Sequence, residues 1–156
     1  MTLADKIALM QAGRILQYDK PRVLYARPST AFGGWFMGNP GMNFVKAEVG
    51  ADGIRSAILA QPLAKPAGLP QGETSIGIRP ERIGMSADPA PGSVPGTLVD
   101  QAVGIAGRYL TTVQVGEARI KVNTVGAPPV GLGGVVHLQV PHARAILYVD
   151  GMRVAG

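Results

Sequence analysis

The placement of 22 glycines and 13 prolines most restricts what this chain can become. Together they exceed a fifth of the 156 residues, against backgrounds of roughly 7% and 5%. They are scattered between short apolar runs and form no repeat. Such a chain must turn often, and the segments between turns are the length of short strands. With 46% hydrophobic and only 16% charged residues, it is too apolar for wholesale disorder.

Alternation gives those strands their faces. Ala118, Ile120 and Val122 alternate with Arg119, Lys121 and Asn123, and Val136, Leu138 and Val140 alternate with His137 and Gln139. One face of such a strand is buried and the other wet, as in a small antiparallel barrel or sandwich. Strands are expected over residues 44–49, 54–59, 75–79, 96–104, 108–115, 118–125, 135–140 and 145–149, with loops over 60–72 and 87–95.

Residues 1–43 read differently. Lys6–Gln11 and Arg14–Tyr18 flank Ala12-Gly13 as a β-hairpin whose glycine supplies a positive φ. Ile7 and Leu9 lie on one face, Ala8 and Met10 on the other, so both faces are apolar and the hairpin belongs inside a larger structure. Pro21 starts a short helix that ends before Pro28. A second helix runs from a Ser29 or Thr30 cap to Gly38, with Phe32, Trp35 and Phe36 on one side. Gly38 is expected to supply a left-handed cap, and Pro40 to keep the helix from resuming. A boundary falls near residue 43.

Zero cysteines remove disulfides, thiolate catalysis and thiolate metal sites, and two histidines, His137 and His142, leave little for metal binding. No apolar stretch approaches the roughly 20 residues that span a bilayer, and no signal peptide is evident. The expectation is a soluble, cytoplasmic protein. The net charge of +5 is spread along the chain without a basic run, which reads as solvated faces.

Several segments occur in a telling order: Thr2-Leu3-Ala4-Asp5-Lys6-Ile7-Ala8-Leu9-Met10, Gly13-Arg14-Ile15, Leu24-Tyr25-Ala26-Arg27-Pro28, Phe36-Met37-Gly38-Asn39-Pro40-Gly41-Met42-Asn43, Gly77-Ile78-Arg79-Pro80-Glu81-Arg82 and Ala145-Ile146-Leu147-Tyr148-Val149-Asp150. Taken together they resemble the ATP-binding subunit of carbohydrate-type ABC importers, the maltose and glycerol-3-phosphate importer ATPase family. In that family a nucleotide-binding domain is followed by a regulatory domain of oligonucleotide-binding-like (TOBE) barrels. The resemblance implies a mainly β fold: a small antiparallel TOBE/MOP-like barrel over 44–156, preceded by a hairpin and two short helices, 1–43, left from a nucleotide-binding domain. It implies that the chain enters the family pattern after the active site and its switch histidine.

Further expectations follow from the resemblance. The role is regulation and dimerisation, with self-association into a homodimer. Membrane permease subunits and a regulatory protein are the partners of the intact protein, which sits on the inner face of the cell membrane. ATP and Mg²⁺ belong to the intact subunit alone; this chain is expected to have no cofactor, metal or catalytic residue of its own. A P-loop needs a glycine-rich cradle followed by Lys and Ser or Thr, and no Gly-Lys-Ser or Gly-Lys-Thr occurs here. Gly33-Gly34 and Gly133-Gly134 are assigned turn or packing roles.

The candidate regulatory and interface residues are Asn39, Pro40, Met42, Asn43, Gly77, Arg79, Pro80 and Glu81. Arg79-Pro80-Glu81 puts a φ-locked residue directly after a strand, with opposite charges beside the bend. It reads either as a corner with a surface ion pair or as part of a regulatory interface. The sequence departs from the family where Lys20 replaces a small hydroxyl residue before Pro21, leaving Asp19 as a substitute cap, and at the turn carrying Gly104, Gly107 and Arg108.

Two other functions fit a small barrel. One is oxyanion binding in glycine-rich turns. The other is nucleic-acid binding, which requires base-stacking aromatics, and after residue 44 only Tyr109 and Tyr148 remain; nucleic acid is not an expected partner. Ile7, Leu9, Leu16, Phe32, Trp35 and Phe36 lack the surface they would cover in the intact family. The hairpin should therefore be poorly ordered, docked on the barrel, or exchanged between chains.

Overall fold

A computed structural model describes residues 4–155. Met1, Thr2 and Leu3, part of the first family-like segment, lie outside the described residues. Strands β1 (Ile7–Gln11) and β2 (Arg14–Asp19) form the expected hairpin. Its turn takes positive φ at both Ala12 (49°) and Gly13 (77°), as a two-residue turn matched to strand twist requires. Helices α1 (Pro21–Ala26) and α2 (Ala31–Phe36) follow. The Thr30 hydroxyl accepts the Gly33 N–H at 3.0 Å, so it is the cap of α2. At α1 the carboxylate of Asp19 accepts the N–H of Lys20 at 2.8 Å, and no side chain caps the helix.

Ten further strands form two antiparallel sheets. They are β3 (Asn43–Gly50), β4 (Gly53–Ser56), β5 (Thr74–Ile78), β6 (Gly84–Ser86), β7 (Ser93–Val103), β8 (Tyr109–Val115), β9 (Ala118–Thr124), β10 (Val135–Gln139), β11 (Ile146–Val149) and β12 (Met152–Arg153). The first sheet has the order β12-β11-β5-β3-β4 and the second β6-β10-β7-β8-β9. Their inward residues meet in one core: Val45, Ile76 and Ile78 from the first sheet, Val113, Ile120, Val122, Val136 and Leu138 from the second. Each such side chain contributes roughly 1.5–3 kcal/mol on burial. The curled, mainly β body fits a small oligonucleotide-binding-like barrel.

Differences from the sequence reading are local. β6 and β12, three and two residues long, are too short to show a period. β4 stops at Ser56, while Ile58 leaves the strand yet stays buried. β7 begins at Ser93 and takes in Pro95, opposite His137, within what reads as loop. Gly38 has no positive φ, so it is not a left-handed cap; a Cβ there would lie 2.8 Å from Nη1 of Arg79. Its smallness serves a close approach.

The hairpin is docked on the segment that carries the two helices, where the sequence reading has it docked on the barrel. Leu9 is buried, and a Cβ on Gly33 would come within 2.8 Å of it. Gln17 accepts the N–H of Ser29 at 2.8 Å, and the Ser29 hydroxyl donates to the Leu16 carbonyl at 3.2 Å. Between the helices and the first sheet, the Ala31 N–H donates to the Gly151 carbonyl at 2.8 Å, and the Arg153 N–H to the Ser29 carbonyl at 2.9 Å. The last strand thus holds the start of α2.

Candidate functional site: the junction around Arg79

Around Gly77 the first sheet is covered on both faces, which explains why β5 does not alternate there, while β3 still exposes Lys46 and Glu48. Toward the core it presents Ile76 and Ile78; on the other side Phe44 meets Tyr148 edge-on, with ring centroids 5.3 Å apart. Gly77 lies opposite Phe44 in the ladder. A Cβ there would meet Met42 Sδ and Tyr148 Cε2 at 2.8 Å, and Phe44 Cε1 at 3.0 Å. Gly34 of α2 is under the same constraint, because a Cβ there would lie 2.8 Å from Phe44 Cζ. Two missing side chains therefore let α2 settle on the sheet.

Arg79 leaves the end of β5 directly into this contact and is 4% exposed. Its Nε and Nη2 donate to the Tyr25 carbonyl at 3.1 and 2.7 Å, and its Nη1 donates to the Gly34 carbonyl at 2.8 Å. The guanidinium also lies 3.9 Å from the Tyr25 ring centroid, a cation–π contact. One side chain of the barrel thus holds carbonyls of both helices. Among the described residues no carboxylate pairs with it. The expected Arg79–Glu81 surface ion pair does not form: Glu81 instead accepts the Tyr25 hydroxyl at 2.5 Å. Pro80 explains the split, because it opens a short 3₁₀ turn over Pro80–Arg82 that sends the two charges in different directions.

Burial lowers the pKa of Arg79, opposed by attraction to Tyr25 and Glu81. Burial first, then the hydrogen bond to Glu81, raises that of Tyr25. Tyr148, fully buried, donates its hydroxyl to the Pro28 carbonyl at 2.9 Å, and desolvation pushes its pKa up to about 12.

Asn43 has a separate task. Its amide donates to the Lys121 carbonyl and its oxygen accepts the Lys121 N–H, both at 2.8 Å, so the side chain acts as one more rung between β3 and edge strand β9. It also donates to the Ile78 carbonyl at 3.4 Å. The two sheets are stitched where their ladders do not meet.

The structure thus brings together seven of the eight candidates as two neighbouring groups. Met42, Gly77 and Arg79 make the weld between helices and sheet, with the buried Pro80 directly following Arg79. Asn39, Pro40 and Glu81, with Tyr25, Arg108 and Asn123, line a polar recess of about 280 Å³ beside it; the Asn39–Pro40 peptide is cis. Asn43 stands apart at the sheet-to-sheet stitch. Sequence reasoning missed Tyr25, Gly34 and Tyr148. The family-like segments around Tyr25 and Tyr148 were the available signal, and neither spacing nor alternation pairs residues so far apart.

Comparison with known proteins gives this chain clear relatives. The glycerol-3-phosphate import ATP-binding protein of Chromohalobacter salexigens is 44% identical over 84 residues, 53% of this chain and 22% of that protein. A second such protein, from Agrobacterium fabrum, is 35% identical over 108 residues, 69% of this chain and 30% of its own length. The maltose/maltodextrin import ATP-binding protein of Klebsiella aerogenes is 38% identical over 91 residues, 53% of this chain and 31% of that protein. This chain is a relative of sugar-importer ATP-binding subunits. It spans between a fifth and a third of the length of these relatives. No protein-family profile matches it. No helix among the described residues is long and apolar enough to cross a membrane.

Proposed function

We propose that this chain is the regulatory and dimerising region of an ABC importer ATP-binding subunit, working at the cytoplasmic face of the membrane beside permease subunits. It has no ATPase activity of its own in this reading; ATP and Mg²⁺ act in the nucleotide-binding part of the subunit. The observation that carries the reading is the Arg79 weld. A regulatory barrel influences a catalytic partner only if displacement of one moves the other, and Arg79 ties β5 to carbonyls of α1 and α2 through three charge-assisted hydrogen bonds.

The outward side of the welded segment supports the same reading. Met10, Ile15, Tyr18, Trp35 and Phe36 are all more than half exposed. Apolar side chains gathered on one rigid segment suit a covering protein surface, here the nucleotide-binding part of the subunit. The barrel is the part that holds two copies together. Sedimentation velocity across a concentration series tests this: a reversible dimer is expected, and a monomer at high micromolar concentration removes dimerisation from the proposal. ATP turnover above background by the purified chain would remove the division of labour.

A further inference from the structure

A cleft of about 690 Å³ lies away from the Arg79 weld, between the end of α1 and the strand-to-strand turn before β11. Arg27 at the end of α1, Arg144 on the 3₁₀ turn His142–Arg144, and Arg153 on β12 all line it, with His142 beside them. These residues are far apart in sequence, so no basic run announces them. No aspartate or glutamate lines the cleft, and among the described residues none of the three arginines has a carboxylate within ion-pair distance. Arg153 does donate to the Arg27 carbonyl, and Gln17 reaches the same oxygen at 3.4 Å. That carbonyl, at the negative end of α1, is thereby occupied. Leu63 and Pro66 belong to the apolar part of the wall.

We propose that this cleft is a binding site for a phosphomonoester carrying a small organic body. Three guanidiniums offer more fork-shaped donor pairs than one carboxylate can accept, whereas a phosphate presents three oxygens to them. The volume lies within the roughly 300–1,000 Å³ of small-ligand sites and exceeds the needs of a bare inorganic ion. The apolar wall gives the organic body something to cover. Occupancy would draw together α1 and the turn before β11, two elements on opposite sides of the junction. The binding step does not depend on the importer reading.

Titration calorimetry on the whole chain tests it, with glucose 6-phosphate, inorganic phosphate and glucose as separate probes. Glucose 6-phosphate is expected to bind saturably, more weakly as salt rises, with inorganic phosphate about tenfold weaker and glucose showing no binding. Arg144→Glu, on an exposed turn, should weaken binding about tenfold or more, and Arg144→Lys should recover only part of it, because the charge returns without the fork. Arg27→Ala should act in the same direction, with circular dichroism confirming an unchanged fold. Absence of saturable heat up to about 10 mM glucose 6-phosphate overturns the proposal, as does unaltered affinity in both Arg144→Glu and Arg27→Ala. Inorganic phosphate binding as tightly as glucose 6-phosphate overturns the role assigned to the organic body.

Discussion

The inner and outer faces of the α1–α2 segment use similar residues to opposite ends. On the inner face Leu24 and both glycines of α2 are buried, Gly34 against Met42 and Phe44 and Gly33 against Leu9 of the hairpin, and polar groups there are matched by named partners. On the outer face Trp35 is 63% and Phe36 58% exposed; Phe36 stacks on Phe32 of the same helix, and Trp35 meets that ring at a tilt. The same six-residue helix carries both. Its glycines fix which way it lies, since a side chain at 34 would meet the sheet and one at 33 would meet Leu9 of the hairpin. A helix this short draws its order from tertiary contacts, not from propensity, so the inner face supplies the stability and leaves the outer one free for another role.

Substitutions should separate the two faces by size of effect. Arg79→Ala removes the partner of two carbonyls at a buried site and should cost about 3 kcal/mol or more in chemical denaturation; a loss under about 1 kcal/mol would show that the weld is not a source of stability. Alkali should act next. Tyr148 has a folded pKa of about 12 against 10.0 unfolded, so the unfolded state loses its proton first and stability falls as pH rises. The contribution is whole below pH 10 and disappears between pH 10 and about 12, a loss of about 2–3 kcal/mol. Tyr148→Phe should be less stable at neutral pH and should lack this part of the alkaline decline.

Gly77→Ala should cost about 1–3 kcal/mol by overpacking against Met42, Phe44 and Tyr148. The smallest effect belongs to the outer face: Trp35→Ser with Phe36→Ser should change stability by about 0.5 kcal/mol or less. The same pair should weaken docking of a separately produced nucleotide-binding part in a pull-down. A double variant that unfolds would erase the contrast between the faces.

The barrel was legible because burial on one side leaves a period of two, and the strands around Ile120 and Leu138 lie where that period puts them. The site was legible only as a location. Arg79-Pro80-Glu81 stands out as a bend, but charge pairing between neighbours suggested an ion pair on the surface, whereas Arg79 is recruited inward by carbonyls 45 and 54 residues away. Backbone acceptors carry no signature in sequence. The arginine cleft was hidden for a related reason: only the fold brings Arg27 beside Arg153. Gly38 shows that one residue type answers two needs, and proximity to a helix end did not reveal which.

The hydroxyl of Tyr148 reaches a carbonyl 120 residues earlier in the chain. During synthesis α1 and α2 emerge long before the strand that fastens them, and contacts of such separation form late. Until β11 and β12 are in place, the Pro28 and Ser29 carbonyls and the cradle between Gly34 and Met42 lack their occupants. Helices α1 and α2 are thus among the last elements described here to be secured, although they are made before the barrel. A break near β11 would be felt first more than a hundred residues away in sequence, as exposure of the helices and hairpin to proteases.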